Sequence, residues 1–307
     1  MFEGSVLAQV LWTSIAAASF QVLLTVAFAL VLKVTKIWNF TQPALMGVAF
    51  YAMLVAMRIG APFPVAVLAA FVVTAALALA IEKYAFQTLR ERGSESITFF
   101  IFTLIFAQFV IYILTLVFTT EPVFMFANMM SPTMLVGGVV VSHWDLGAIA
   151  VAMVLTLALL IFLRFARSGQ FLIAVSDNAD LAEAYGISKR RAYAHSMVIA
   201  ALFVTAAMAV FGSKLAVFPE LTLHMMIFAV VATILGGIDR VFAAAVAAVG
   251  ISVLQQLSVL VIESRWQPLI VFSILFIAII FFPRGIRLPA RRVADGRAAG
   301  PTLQAAE

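Results

Sequence analysis

Long apolar segments without a charged residue recur along the whole chain of 307 residues. Nine stretches contain no Asp, Glu, Lys or Arg: residues 5–32, 37–57, 59–81, 96–120, 146–163, 192–213, 221–238, 241–262 and 266–283. A helix needs about 20 residues to cross the hydrocarbon core of a bilayer. Unbroken apolar runs exclude a β-barrel, because barrel strands alternate apolar and polar residues. The pattern predicts an all-α, polytopic integral membrane bundle with about eight to nine membrane segments.

The composition agrees with a chain whose body lies in lipid. Hydrophobic residues make up 65% of the chain and charged residues 11%. A soluble domain carries about 25% charged residues, so the composition excludes a soluble fold. There are no cysteines, which excludes disulfides and thiolate metal sites.

The basic residues fall on one side of the predicted membrane. If all nine stretches cross, sixteen of the nineteen Lys and Arg residues lie in one set of loops and in the C-terminal tail. The other set of loops holds only Arg58, Lys214 and Arg265. The positive-inside rule then predicts that the N-terminus lies outside and the C-terminus inside. Residues 288–307 are predicted to be a basic disordered cytoplasmic tail near the lipid of the inner leaflet, so the positive charge does not indicate nucleic-acid binding.

Two segments of the chain are less regular than the clearest spans, and their structures are predicted separately. Residues 221–240 are short and end in a Gly pair, so they either cross the membrane or form a broken or re-entrant segment. The stretch Glu121–Trp144 lies in an external loop, with a short strand or turn near Met134–Val141.

The longest inside loop, residues 164–191, predicts a short helix over Asn178–Tyr185. Asp177 is a suitable N-cap, and Asp180 lies near the positive end of the helix dipole. Gly186 stands where the left-handed residue of a helix C-terminus is favoured. Such a helix would lie outside the membrane between two spans.

Two interpretations of this short helix remain open. It is either a capped surface helix at the lipid headgroups or a lever that inserts into a groove on a soluble partner. Small residues in it suit close approach to another surface, and Ile187 can pack back on Leu181. If the helix is a lever, the residues predicted to couple it to the partner are Asp177, Asp180, Ala182, Glu183, Gly186 and Ile187.

Polar residues also open the second apolar stretch. Pro43 falls in the first turn of the predicted helix, where its missing N–H costs least. The helix either begins at the membrane surface as an ordinary capped helix or begins below it, with its N-terminus facing a path for a solute. The residues of this predicted path are Asn39, Phe40, Thr41, Gln42 and Pro43.

A glycine pair, Gly236 and Gly237, separates the seventh and eighth apolar stretches. It is either a tight turn at the membrane surface or a hinge between two half-helices. The alanine-rich segment after it presents small residues at helical spacing, which permits close helix packing within the chain or across a dimer.

The chain shows no sign of an energy source or of bond chemistry. It has no GxxxxGK[ST] phosphate loop and no HExxH or GxSxG motif. The apolar stretches hold none of the embedded charges by which ion-coupled carriers work. We therefore expect no enzyme activity, cofactor or metal. A transport subunit driven by another protein, a stand-alone channel or facilitator for a small neutral solute, and a structural scaffold all remain open.

Four short motifs occur in the order of one known family. They are A-x-x-D-x-x-x-x-A-x-x-x-G-I over 174–187, Ile37-Trp38-Asn39-Phe40, Ile81-Glu82-Lys83-Tyr84 with Leu89-Arg90, and Leu235-Gly236-Gly237-Ile238. Over residues 7–287 the chain resembles the branched-chain amino acid ABC transporter permeases of the LivH type. It departs from the family pattern at Thr41-Gln42-Pro43, where His-Gly is usual, and at Asp239-Arg240, where Gly-Ser is usual.

The resemblance implies that residues 1–287 are the transmembrane domain of an ABC importer permease, with a cytoplasmic coupling loop over 164–191. It implies a path for branched-chain or related small amino acids or amides, opened by alternating access and driven by a separate ATPase. The implied partners are cytoplasmic ATP-binding subunits, a second identical or similar permease and a periplasmic solute-binding protein. The implied location is the bacterial inner membrane. Because both departures fall on the predicted path or hinge, leucine, isoleucine, valine, another amino acid and urea all remain open as substrates.

Overall fold

The computed structural model describes residues 4–126, 133–260 and 266–281, and this part of the chain is mostly helical. Its helices are α1 (Gly4–Thr35), α2 (Gln42–Arg58), α3 (Phe63–Ala80), α4 (Gln87–Glu91), α5 (Ser96–Phe118), α6 (His143–Phe165), α7 (Arg167–Asp177), α8 (Ala179–Ala184), α9 (Lys189–Gly212), α10 (Leu221–Gly236), α11 (Val241–Ser258) and α12 (Gln267–Phe281). A π-helical segment, Ile81–Phe86, joins α3 to α4, and two strands, β1 (Thr133–Val136) and β2 (Val139–Ser142), precede α6.

Within these ranges, each of the nine charge-free stretches holds one helix. Six helices are long and apolar enough to cross a membrane: α1, α3 with its continuation to Glu91, α5, α6, α9 and α11. The helical, multi-pass membrane class predicted from the sequence is therefore confirmed. Helices α2 and α10 have 17 and 16 residues, so each spans about 25 Å of a core about 30 Å thick. The count of eight to nine spans stays a prediction, and the tail 288–307 lies outside the described residues.

Helix α1 is the centre of the bundle. It packs against α9, α10, α11 and α6, and its second half, including Leu23, Phe28 and Val31, is fully buried. Helices α5 and α6 instead expose long apolar side chains such as Ile105 and Phe109. These outward faces suit contact with lipid.

A β-hairpin covers one end of the bundle, which we call the hairpin end. Strands β1 and β2 pair antiparallel from Thr133↔Ser142 to Val136↔Val139. Gly137 and Gly138 form the two-residue turn, both with positive φ, as a type I′ turn requires. The strand or turn predicted near Met134–Val141 is thus confirmed.

The opposite end, which we call the α8 end, collects the basic loops. Lys36, after α1, forms an ion pair at 2.7 Å with Asp239, after α10. Arg90, from α4, lies over the ring of Tyr193 in the first turns of α9. These contacts place the loops after α1, α4 and α10 at one end, as the charge pattern predicts. Which end faces the cytoplasm stays a prediction.

Residues 164–191 contain two helices rather than the single short one predicted. Helix α7 was not predicted; it follows α6 after a sharp corner and packs against α6, α9 and α1. Gly169 makes this corner possible, because a Cβ there would lie 2.1 Å from the carbonyl oxygen of Phe162. The corner therefore holds α7 against the bundle, and α8 follows directly.

Candidate functional site

Helix α8 is capped at its N-terminus by a side chain. Asn178 has extended backbone angles, and its Oδ1 accepts a hydrogen bond from the backbone N–H of Leu181 at 3.0 Å, as an N-cap does. The prediction of Asp177 as the cap was wrong, because Asp177 is the last residue of α7. Asp180 lies in the first turn of α8, as predicted.

The C-terminus of α8 ends in a Schellman motif. The N–H of Ile187 donates to the carbonyl of Ala182 at 3.0 Å, and the N–H of Gly186 donates to that of Glu183 at 2.9 Å. Gly186 has φ +81°, which confirms the predicted left-handed residue. Both ends of this one short helix are therefore fixed by specific hydrogen bonds.

One face of α8 is buried and the other presents two large apolar side chains. Ala182 is 5% exposed and packs into the core, whereas Leu181 and Tyr185 are 55% and 80% exposed. Residues four apart on a helix are neighbours, so Leu181 and Tyr185 form one projecting pair. This pair was not predicted from the sequence, although two apolar residues four apart in a short helix with charged residues were a signal for it.

Charged side chains join α8 to α9. The ammonium of Lys189 lies 2.7 Å from the carboxylate of Glu183 and 3.7 Å from that of Asp180. All three side chains are at least 40% exposed, so water weakens these contacts. They orient α8 on α9 more than they stabilise the fold.

A buried ion pair lies beside this junction. Arg90 donates to both carboxylate oxygens of Glu82, at 2.6 and 3.0 Å, and Glu82 is 3% exposed. The guanidinium of Arg90 also stands 4.1 Å from the ring centroid of Tyr193, which adds a cation–π contact. Arg90, Tyr193, Lys189 and Glu183 line one groove of about 460 Å³ between α4, α8 and α9.

The ion pair stands on a helical extension of α3. The basic residues Lys83 and Arg90, placed between spans by the sequence, continue α3 as a π-helical segment and then as α4. π-Helical turns within helices are frequent at functional sites. Helix α8 is thus linked through Lys189 to α9, and α9 is linked through Tyr193 and Arg90 to Glu82 in the span that begins with α3.

The predicted path residues lie inside the bundle, not at its surface. Asn39, Thr41 and Gln42 are each at most 1% exposed. The Oδ1 of Asn39 accepts from the N–H and the hydroxyl of Thr41, at 3.0 and 2.6 Å. Phe40 packs edge-on to Phe100. Pro43 stands in the first turn of α2, as predicted.

Among the polar side chains of this segment, that of Gln42 makes the fewest hydrogen bonds. It is fully buried, and neither its amide nitrogen nor its amide oxygen has a hydrogen-bond partner among the described residues. A buried amide without partners costs free energy, and such a group in a native structure calls for an explanation. The arrangement leaves both N–H donors and the carbonyl acceptor of this amide without partners among the described residues.

The glycine pair forms a tight turn between α10 and α11. Gly237 has φ +97°, and a Cβ on Gly236 would lie 2.3 Å from the backbone of Ala244. The C-terminus of α10 therefore touches the backbone of α11. Whether the pair also acts as a hinge stays a prediction.

A second buried ion pair was not predicted, because the apolar stretches were defined as segments without charged residues. Asp145, in the first turn of α6, is 5% exposed and forms an ion pair with Lys214, just beyond α9, at the hairpin end. Across the described ranges, no three His, Asp or Glu side chains come together as a metal site would require.

Apolar helices of membrane-spanning length, with a capped helix between two of the spans, define a multi-pass helical membrane protein. The chain matches the family described as "Branched-chain amino acid transport system / permease component" over residues 10–282. It belongs to this family, and the resemblance drawn from the four motifs is confirmed. Membership makes it a transport subunit of the ABC permease type.

Two relatives carry the name "High-affinity branched-chain amino acid transport system permease protein LivH", from Salmonella typhimurium and Salmonella typhi. Each is 28% identical to the chain over 131 residues, and the match covers 42% of the chain and 42% of the relative. The chain is also similar to a solved structure, "PsaBC from Streptococcus pneumoniae in complex with Fab". The superposition covers 90% of this chain and 92% of that chain, with a TM-score of 0.52 and 16% sequence identity. At that identity the likeness concerns the fold alone.

Proposed function

We propose that this chain is the membrane-spanning permease subunit of an ABC importer in the bacterial inner membrane. Its solute is a branched-chain amino acid or a related small amino acid, and a separate pair of ATP-binding subunits drives it. Family membership supports this proposal. The observation that carries it is α8, a helix capped at both ends that projects Leu181 and Tyr185 from the bundle.

The ATP-binding subunits dock on α8. An exposed aromatic residue beside an exposed leucine is the kind of anchor that fills a pocket on a protein partner. The caps keep α8 rigid, so a displacement of its docking face reaches α7 and α9 rather than unwinding the helix. Charged residues around the pair, among them Asp180 and Glu183, provide a polar rim.

Motion of α8 then reaches the spans through the buried ion pair. Lys189 and Tyr193 lie in the first two turns of α9, and Tyr193 contacts Arg90, which holds Glu82. The rocking of these helices opens a path at the start of α2, where Gln42 has its free amide. The turn at Gly236–Gly237 lets α10 and α11 move against each other. A second permease and a periplasmic solute-binding protein complete the importer.

Co-purification tests this proposal directly. The permease is co-expressed with its ATP-binding subunits, solubilised in detergent and captured by a tag on the permease. Tyr185→Ala should reduce recovery of the ATP-binding subunits several-fold, whereas Tyr84→Ala, which removes a tyrosine 69% exposed on the π-helical segment, should leave it unchanged. Uptake of leucine into proteoliposomes that lack the ATP-binding subunits would contradict the proposal and favour a stand-alone facilitator.

A further inference from the structure

A small cavity lies inside the hairpin end of the bundle, away from α8 and from the predicted path. It measures about 160 Å³ and is lined by residues of α1, α6, α9 and α11 and by the segment just after α9. Cavities of about 150 Å³ in protein interiors hold one benzene molecule. The space therefore suits a solute of that size, such as one small aliphatic amino acid.

The cavity has a charged end and an apolar wall. Asp145 and Lys214 form their ion pair at its edge, and Gln256 adds an amide. The rings of Phe20 and Phe211, 4.9 Å apart, line the rest together with small side chains from α1 and α6. One acidic group, one basic group and an apolar surface are the three features that an aliphatic zwitterion matches.

We propose that this cavity binds a small aliphatic amino acid as its zwitterion. Asp145 accepts hydrogen bonds from the ammonium of the solute, Lys214 donates to its carboxylate, and the aliphatic side chain lies against Phe20 and Phe211. This inference rests on the proposed function, because the importer brings such a solute to the permease. It adds a binding site and restricts the substrate to zwitterions.

Charge balance supports this arrangement. A buried carboxylate that loses its partner is costly, so a ligand that separates Asp145 from Lys214 must supply an opposite charge to each. A zwitterion does so, and both protein charges remain paired. Urea and other neutral amides carry no charge, so they leave the existing ion pair intact and gain little from it.

Access is also consistent with binding from the hairpin end. Asp145 is buried, but the side chain of Lys214 is 48% exposed and ends a long flexible stem. Leu215, also at the edge of the cavity, is exposed. Lys214 can therefore swing toward water while the ammonium of the solute replaces it at Asp145, so the cavity opens without movement of a helix.

Binding to the full-length permease in lipid nanodiscs tests the site. Saturation-transfer difference NMR measures the binding of L-leucine and L-valine, and of 4-methylpentanoate and isopentylamine, which are leucine without its ammonium and without its carboxylate. The amino acids should bind about tenfold or more tightly than either single-charge analogue, since each lost contact is a hydrogen bond to a charged group. Equal binding of all four compounds would overturn the proposal.

Variants separate the site from a structural role of the ion pair. Ala148→Leu fills the cavity and leaves both charges in place, so it should abolish amino acid binding. Ala150→Leu, on the exposed side of the same helix, should not. Asp145→Asn and Lys214→Met should each weaken binding about tenfold or more, with size-exclusion chromatography to confirm that each variant folds.

Failure of the binding site and failure of the proposed importer function would give different results. If the wild-type permease shows no saturable binding while ATP-dependent uptake proceeds and Ala148→Leu transports normally, the cavity holds only water and the inference fails, but the importer function stands. If leucine binds as described but uptake never requires the ATP-binding subunits, the importer function fails and the site stands.

Discussion

The guanidinium of Arg90 binds both carboxylate oxygens of Glu82, at 2.6 and 3.0 Å, across a π-helical turn. In a regular α-helix, residues eight apart would lie about 80° apart around the axis. The wider turn at Ile81–Phe86 reduces this offset, because each π-helical residue advances the chain by a smaller angle. The π-helical turn thus brings Glu82 and Arg90 to one face, where Tyr193 also lies.

Loss of one partner of this ion pair should destabilise the protein strongly. Arg90→Ala leaves the buried carboxylate of Glu82 without a counter-charge, which typically costs about 3–5 kcal/mol. Thermal unfolding in detergent should therefore show a large drop in Tm. Arg90→Lys keeps the charge but cannot bind both oxygens or stack as well on Tyr193, so we expect an intermediate loss.

A second substitution and a neighbouring arginine provide the controls. Glu82→Gln combined with Arg90→Ala removes the uncompensated charge and should recover much of the lost stability. Arg92→Ala, at an exposed position, should change the stability by less than about 0.5 kcal/mol. If Arg90→Ala and Arg92→Ala have equal effects, the buried pair does not stabilise the junction.

Gly236→Ala should disrupt the contact between α10 and α11. The new Cβ would lie 2.3 Å from the backbone of Ala244, and backbone cannot move aside as a flexible side chain can. Gly250→Ala is the matched control on α11, because no atom lies within 4 Å of its added Cβ. We expect a lower Tm and reduced uptake for the first variant and a neutral or slightly higher Tm for the second. Equal behaviour of the two would show that α10 and α11 separate freely at this turn.

Gln42→Leu distinguishes a functional amide from a structural one. Because neither amide atom has a partner among the described residues, an apolar side chain of similar size should leave Tm unchanged or raise it. Uptake should fall at the same time if the amide contacts the solute or its water. Gln108→Leu, at an exposed position of α5, should alter neither quantity. Full uptake in Gln42→Leu would remove Gln42 from the path.

Much of the fold could be predicted because charge marks the ends of membrane helices. Each charge-free stretch holds a helix, and Gly186 was identified because a left-handed residue ends α8. Other features depend on tertiary contacts that no local pattern reports. Asp177 and Asn178 are both good N-caps in sequence, and only the presence of α7 decides between them.

Two buried carboxylates of the site could not be predicted from the sequence. A stretch defined by the absence of charge cannot include Asp145 or Glu82, although each stands directly next to an apolar run. Both are buried because a partner from elsewhere in the chain compensates their charge. The partner of Asp145, Lys214, is 69 residues away, which no helical spacing could indicate.

In the proposed mechanism, α8 transmits the work of separate ATP-binding subunits to the spans, and substitution of Gly186 tests this role most directly. At φ +81°, with no atom within 4 Å of an added Cβ, a substitution there strains only the backbone that ends α8. Asn tolerates this conformation and β-branched residues do not. ATP hydrolysis and leucine uptake are measured together in proteoliposomes that contain the assembled importer. We predict that Gly186→Val hydrolyses ATP but loses most uptake, while Gly186→Asn retains both. Normal ATP-dependent uptake by a correctly inserted Gly186→Val variant would contradict the account.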